Sequence, residues 1–207
     1  MNVATMDIQP VTLTGRYVEL APLSWDHLPR AVDLCVGQDL FRWFPKELRT
    51  AEDVRGYFAE AFEAQKAGTA LPFSTFDRAT GQLVGGSRYM AIERAHRRLE
   101  IGSTWIAKAW QRSHVNTEAK LLMLEHAFER LGCLRVEFKT DSLNQPSRTA
   151  LARIGAKEEG IFRNHMVTGS GRVRHSVYFS IIDSEWPRVK ADLQAKLAVG
   201  PRLPAQP

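Results

Sequence analysis

Along residues 11–23, β-branched and apolar positions cluster around Gly15. Ser24 then stands as a cap before Trp25, Leu28, Ala31, Val32 and Cys35, which share one side of a helix. The spacing predicts a strand followed by a helix. Thr50 with Asp53 three residues later forms a capping box ahead of Val54, Tyr57, Phe58, Ala61 and Phe62 at helical spacing, so a second helix is expected to run to about Gly68. Between the two, residues 41–45 (Phe-Arg-Trp-Phe-Pro) are too aromatic for a plain connector and read either as a lid on the core or as a substrate wall. Residues 71–77 and 83–92 are β-rich runs joined by a turn containing Gly81, and a third run, 99–106, follows the basic stretch 93–98; together they predict an antiparallel meander.

The segment 117–131 carries Leu121, Leu124, Ala127, Phe128 and Leu131 as an apolar helical stripe, and Gly132 supplies a C-terminal stop. A strand is expected over 134–140, a helix from about Pro146 to Gly155, a strand to Phe162 and a strand over 173–182. A closing helix has Pro187 in its first turn, where proline is tolerated. Residues 200–207 hold three prolines and little that could pack. With no internal repeat, low-complexity block or shift of composition, the chain reads as a single α+β domain over residues 10–198 followed by a flexible tail, 199–207.

Composition narrows the class. At 207 residues, with 44% hydrophobic and 25% charged residues, the chain is long enough to bury a core without disulfide or metal staples. Its mean hydropathy of −0.27 argues against a membrane-spanning protein. The net charge of +5 favours anionic partners, but the basic residues are scattered, so a nucleic-acid patch is weakly supported. Cys35 and Cys133 stand in no metal or redox spacing, the six histidines show no metal spacing, and residues 1–10 lack the pattern of a signal peptide. A reducing, cytoplasmic compartment and no metal are the expectations.

Chemistry concentrates before the central helix. The segment Trp110, Gln111, Arg112, Ser113, His114, Val115, Asn116 lies between a strand and a helix, so backbone N–H groups there can receive an anion, with Arg112 and the hydroxyls of Ser113 and Thr117 as further donors. An ordinary polar loop is the competing reading. Glu118, in the first helical turn, is read as structural.

The order of elements, together with Glu100-Ile101-Gly102, Thr117-Glu118-Ala119, Ala127-Phe128-Glu129, Leu131-Gly132, Arg135-Val136-Glu137, Asn144 with Ser147, Gly155 and Glu159-Gly160, resembles the GNAT acetyltransferase superfamily, in particular its RimJ/RimL-like branch. The resemblance covers about residues 11–197. It implies a mixed, mostly antiparallel central sheet of about seven strands flanked by helices, with acetyl-coenzyme A as co-substrate and a primary amine as acceptor, on a protein or peptide N-terminus or a small molecule. A homodimer is consistent with the superfamily. The cofactor's pyrophosphate would rest on residues 111–116 (Gln111, Arg112, Ser113, His114, Val115, Asn116) and Thr117, and its thioester carbonyl on a backbone N–H near Trp105, Ile106 and Ala107. Asn144 would meet the pantetheine arm, and Ser147 the departing thiolate; each competes with a plain capping role. Glu100 would serve as general base, its alternative being a strand carboxylate paired with an arginine. Trp43, Phe44, Arg88 and Tyr89 would line the acceptor site. The loop departs from the family pattern at His114 and Asn116, where small residues are usual, which motivates a second reading as a noncatalytic acyl-CoA-binding module.

Overall fold

The computed structural model describes residues 6–199. A short hairpin of β1 (Leu13–Thr14) and β2 (Val18–Pro22) opens the fold. Its turn is held by the carboxylate of Glu118, whose oxygens accept the amides of Arg16, Tyr17 and Val18 at 2.8, 2.7 and 2.6 Å. Gly15 leaves room for it, since a Cβ would come within 2.6 Å of that carboxyl carbon and displace the carboxylate from the turn amides. Ser24 caps a single 3-10 turn, Trp25–His27, which leads into α1 (Leu28–Cys35). The Thr50–Asp53 capping box starts α2 (Ala51–Lys66) as expected.

The meander follows as β3 (Leu71–Asp77), β4 (Leu83–Glu93) and β5 (Arg98–Ile106). Next come α3 (Val115–Glu125), β6 (Arg135–Asp141), α4 (Gln145–Arg153), β7 (Lys157–Val167), β8 (Val173–Ile182) and α5 (Trp186–Ala198). The central helix begins two residues earlier than its stripe suggests and ends in a π turn, His126–Arg130, before Gly132 at φ +64°. Strand β7 runs five residues beyond Phe162, because it zips to β8 as far as Val167↔Val173. Of the expected tail, residues 200–207 lie outside the described residues.

The sheet has eight strands in the order β1-β2-β3-β4-β5-β6-β8-β7, one more than expected, since the first β-rich run folds back on itself at Gly15. Every neighbouring pair is antiparallel except β5–β6, which is parallel and crosses over through α3. One core cluster lies between the sheet and α3 with α5, including Leu99, Ile101, Met123, Leu124, Val136 and Trp186. The other lies between the opposite face and α1 with α2, including Ala31, Phe41, Val54, Phe58 and Trp105. Burying both faces of the central strands supplies most of the stabilisation.

Two irregularities shape the middle of the sheet. Opposite Gly86 to Arg88 on β4, strand β5 carries an extra residue: Gly86 pairs with Trp105 but Arg88 with Gly102. The extra residue is Ser103, at φ +48°. This bulge switches the alternation, so Leu99 and Ile101 face α3 before it, Thr104 faces α3 after it, and Trp105 turns into the opposite core. The second irregularity is that β5 and β6 pair over three positions only, ending at Glu100↔Glu137. Beyond that pair each strand continues without the other, and the sheet opens into a wedge.

Candidate active site

The two parallel strands end side by side, and a helix starts just beyond each: α3 after β5, α4 after β6. Ligands of open α/β sheets bind outside the carboxyl ends of such strands, where helix N-termini converge. Arg153 Nη2, at the last residue of α4, donates to Thr117 Oγ1 in the first turn of α3 at 2.9 Å, tying the two helices together.

The loop before α3 is shaped by its own side chains. Gln111 Nε2 donates to the Ile106 carbonyl at 3.0 Å. Ser113 Oγ donates to the Trp110 carbonyl at 2.6 Å and accepts the Val115 amide at 3.3 Å. Its only hydroxyl proton is thus committed to the loop, which removes the Ser113 side chain, though not its main chain, from the expected ligand donors. The amides of Asn116 and Thr117 have no partner among the described residues and remain open to an anion. Exposed Arg112, four residues before Asn116, stands at φ +59° and is the left-handed residue of the loop. His114 is right-handed, at φ −68° and ψ −20°, and Asn116 lies inside the helix, so neither needs the glycine conformation that the family pattern suggests. The His114 ring is buried against Tyr17, centroids 4.7 Å apart, with both nitrogens and the Tyr17 hydroxyl unpartnered. It is therefore tucked under the β1–β2 turn rather than laid over the open amides.

Along the wedge, the expected contributions separate. Trp105 puts its side chain in the core behind β5, where Gly86 makes room for it: a Cβ there would meet the indole nitrogen at 2.8 Å. Only its main chain faces a ligand. The Ala107 amide donates to the Val84 carbonyl at 2.9 Å, so it cannot hold a thioester carbonyl, and the candidate stretch shortens to Trp105 and Ile106. On the β6 side, Asn144 Oδ1 accepts the Ser147 amide at 3.1 Å and caps α4. The half-buried Ser147 hydroxyl makes no hydrogen bond among the described residues.

Glu100 sits at the apex of the wedge and is 5% exposed. Burial pushes its carboxyl above the ordinary carboxylate range, against the pull of the Lys139 ammonium 3.4 Å from Oε2. The partner expected for a merely structural carboxylate was an arginine; a lysine of β6 takes that place. Beside it on β6, β7, β8 and the β7–β8 turn lie residues that the sequence reading assigned no part in the site. Lys139 stands 5.7 Å from the centroid of the Tyr178 ring. Tyr178 OH is 3.5 Å from His165 Nε2, and fully buried Asp141 pairs with Arg172 and, at 3.9 Å, Arg174. The available signal was the alternation Glu137, Lys139, Asp141, charged residues on one face of an otherwise apolar strand.

The far wall mixes the two readings offered for residues 41–45. Phe41 is core, and Phe44 packs edge-on against it at 4.7 Å. Half-buried Trp43 lies between Arg42 and Arg172, at 5.1 and 5.9 Å, while its carbonyl accepts from Arg174 Nη1 at 3.2 Å. Arg88, 9% exposed, lies 4.4 Å from the Tyr57 ring centroid on the α2 side. Tyr89, its neighbour, points to the other face, is fully buried, and donates its hydroxyl to the Met123 carbonyl at 2.6 Å. Alternation along β4 thus removes Tyr89 from the acceptor wall.

Comparisons with known proteins agree with this architecture. Residues 18–157 match the family model described as the Acetyltransferase (GNAT) domain. The chain is 33% identical over 106 residues to "Putative ribosomal N-acetyltransferase YdaF" of Bacillus subtilis; the match spans 51% of this chain and 57% of that protein, so the chain covers little more than half of that curated relative. A GCN5-related N-acetyltransferase from Brucella melitensis superposes with a TM-score of 0.85 at 33% identity, over 94% of this chain and 90% of that one. Mycobacterium smegmatis RimJ, solved in complex with CoA-disulfide, shares the fold with a TM-score of 0.76 at 22% identity, over 94% of each chain. Among the described residues no helix is long and apolar enough to cross a membrane. With its wedge between the two parallel strands and a family match covering most of its length, the chain belongs to the GNAT acetyltransferase family.

Proposed function

We propose that this protein transfers an acetyl group from acetyl-coenzyme A to a primary amine by direct transfer. The observation that carries the reading is the wedge that opens beyond Glu100↔Glu137, with α3 following β5 and α4 following β6 at the carboxyl ends of these parallel strands. A cofactor of this kind fits the residues present: the unpartnered amides of Asn116 and Thr117 suit its diphosphate, and exposed Arg112 of the preceding loop could add a charged contact. The main chain at Trp105 and Ile106 is where a polarising N–H would stand. Asn144 would meet the pantetheine arm through its remaining amide protons, and Ser147 would supply a proton to the departing thiolate.

Glu100 is the proton acceptor in this reading. Burial raises its affinity for a proton while the adjacent Lys139 ammonium favours its charged form, the setting a general base needs. Trp43, Phe44 and Arg88 would border the acceptor. Because one relative is named for ribosomal N-acetyltransfer, a protein or peptide N-terminus is the first acceptor class to try, with small amines beside it.

The test is acetyl-CoA turnover against a panel of peptide and small-molecule amines, with the acetylated product identified by mass spectrometry. Free thiol and an acetylated amine in equal amounts are expected. Tight coenzyme A binding with no turnover on any amine would favour the noncatalytic binding module instead.

A further inference from the structure

Lys120 points from α3 into the sheet and is 4% exposed. Its ammonium has no carboxylate partner among the described residues. Nζ donates to Thr104 Oγ1 at 2.7 Å and to Ser87 Oγ at 3.4 Å. The nearest acid on its own helix, Glu118, is committed to three amides of the β1–β2 turn. A buried ammonium without a counter-ion is costly to keep, and here burial lowers its pKa to about 7. Nor is the lysine needed to satisfy its partners: the two hydroxyls are 2.7 Å apart, and Ser87 also reaches the Gly102 carbonyl at 3.4 Å. The charge therefore costs stability without filling a gap in the hydrogen bonding.

Its location gives that expense a use. Ser87 and Thr104 stand on the two strands at the β5 bulge, where Gly86 to Arg88 of β4 face Gly102 to Trp105 of β5. Thr104 follows the left-handed Ser103 and directly precedes Trp105 and Ile106, the main-chain stretch that borders the wedge. Lys120 hangs from the same helix whose first amides stand open three and four residues earlier. It is thus a tie between the helix that would hold the diphosphate and the bulged strand that would face the thioester.

We propose that Lys120 is a positioning residue for acyl transfer: through Thr104 and Ser87 it fixes the β5 bulge against α3, so that anion-binding amides and thioester-facing strand keep one spacing. The inference rests on the acetyltransferase reading, and its consequence is a separation of stability from turnover. Removing the charge relieves the fold of an uncompensated buried cation, yet loosens the strand where a displacement of about 1 Å can cost up to 100-fold in rate.

The experiment compares Lys120→Met, Thr104→Val and Thr104→Ser with the wild-type chain, measuring kcat, KM, coenzyme A affinity by calorimetry and Tm. Lys120→Met is expected to raise Tm, leave coenzyme A affinity within about threefold, and lower kcat by about tenfold or more. Thr104→Val should lower kcat in the same way, and Thr104→Ser, which keeps the hydroxyl, should restore most of it. The threonine pair tests the tie even if Lys120→Met does not fold. Wild-type turnover with unchanged kcat in Lys120→Met and Thr104→Val overturns the inference alone, as does a parallel fall of Tm and kcat that Thr104→Ser does not rescue. No turnover by the wild-type chain on any amine overturns the acetyltransferase reading and this inference together.

Discussion

At the scale of single residues, two buried glutamates with similar exposure differ in their partners. Glu118 accepts three amides that would otherwise be orphaned in the β1–β2 turn. Replacing it by alanine is expected to destabilise the fold by about 3 kcal/mol or more, measured by urea denaturation, since each lost charged bond leaves a buried donor behind. Glu100 has one ammonium beside it and burial working against its charge. Glu100→Gln should leave coenzyme A affinity unchanged while lowering kcat by about 100-fold, and should abolish the fall of activity on the acid side, where protonation of the carboxyl removes the base. The sequence pattern placed Glu118 in a first helical turn and Glu100 on a central strand, where the structure has them. What it could not supply was the partner. Lys139 reaches Glu100 from a neighbouring strand through pairing that no local spacing encodes, and Tyr89 fell from the acceptor wall because the face of β4 to which each residue points depends on register.

At the scale of elements, the loop before α3 shows how local rules can be met by an unexpected residue. A family pattern with small residues at positions 114 and 116 leads one to look for left-handed backbone there. The chain instead places that conformation at Arg112, φ +59°, and lets His114 and Asn116 adopt helical angles. Arg112→Gly is expected to keep stability within about 1 kcal/mol, because glycine adopts this φ without strain. It should also weaken coenzyme A binding by about 1.5–3 kcal/mol in calorimetry through loss of a charge-assisted phosphate contact. Helix positions and the meander were legible from periodicity and caps. The bulge at Ser103 and the three-position pairing of β5 with β6 were not, for they arise only when strands distant in sequence are matched residue by residue.

At the scale of the whole molecule, buried ionisable groups set how stability responds to pH. Lys120 ionises near pH 7 when folded but has an ordinary value of 10.5, so between those limits the unfolded chain holds a proton that the folded chain has released. The stability that its burial costs is greatest at and below about pH 7 and is recovered as pH rises toward 10.5. The thiols of Cys35 and Cys133, pushed from 9.0 up to about 12 by burial, act in the opposite sense and take stability away above pH 9. Thermal melts are therefore expected to show stability rising from about pH 7 to 9 and turning over beyond it, with Lys120→Met flattening the rising limb. A wild-type profile flat across that window would mean that Lys120 is not held as its surroundings indicate. The six-strand core of the sheet, β3 to β8, was legible in outline, while the hairpin fold-back that makes the eighth strand depends on Glu118 reaching across a hundred residues of chain to Val18.

The most direct test is a crystal structure of the chain with coenzyme A. The diphosphate is expected within hydrogen-bonding distance of the Asn116 and Thr117 amides, with the pantetheine arm running into the wedge between β5 and β6 toward Glu100. A ligand bound elsewhere, or a His114 ring lying across those two amides with the wedge closed, would contradict it.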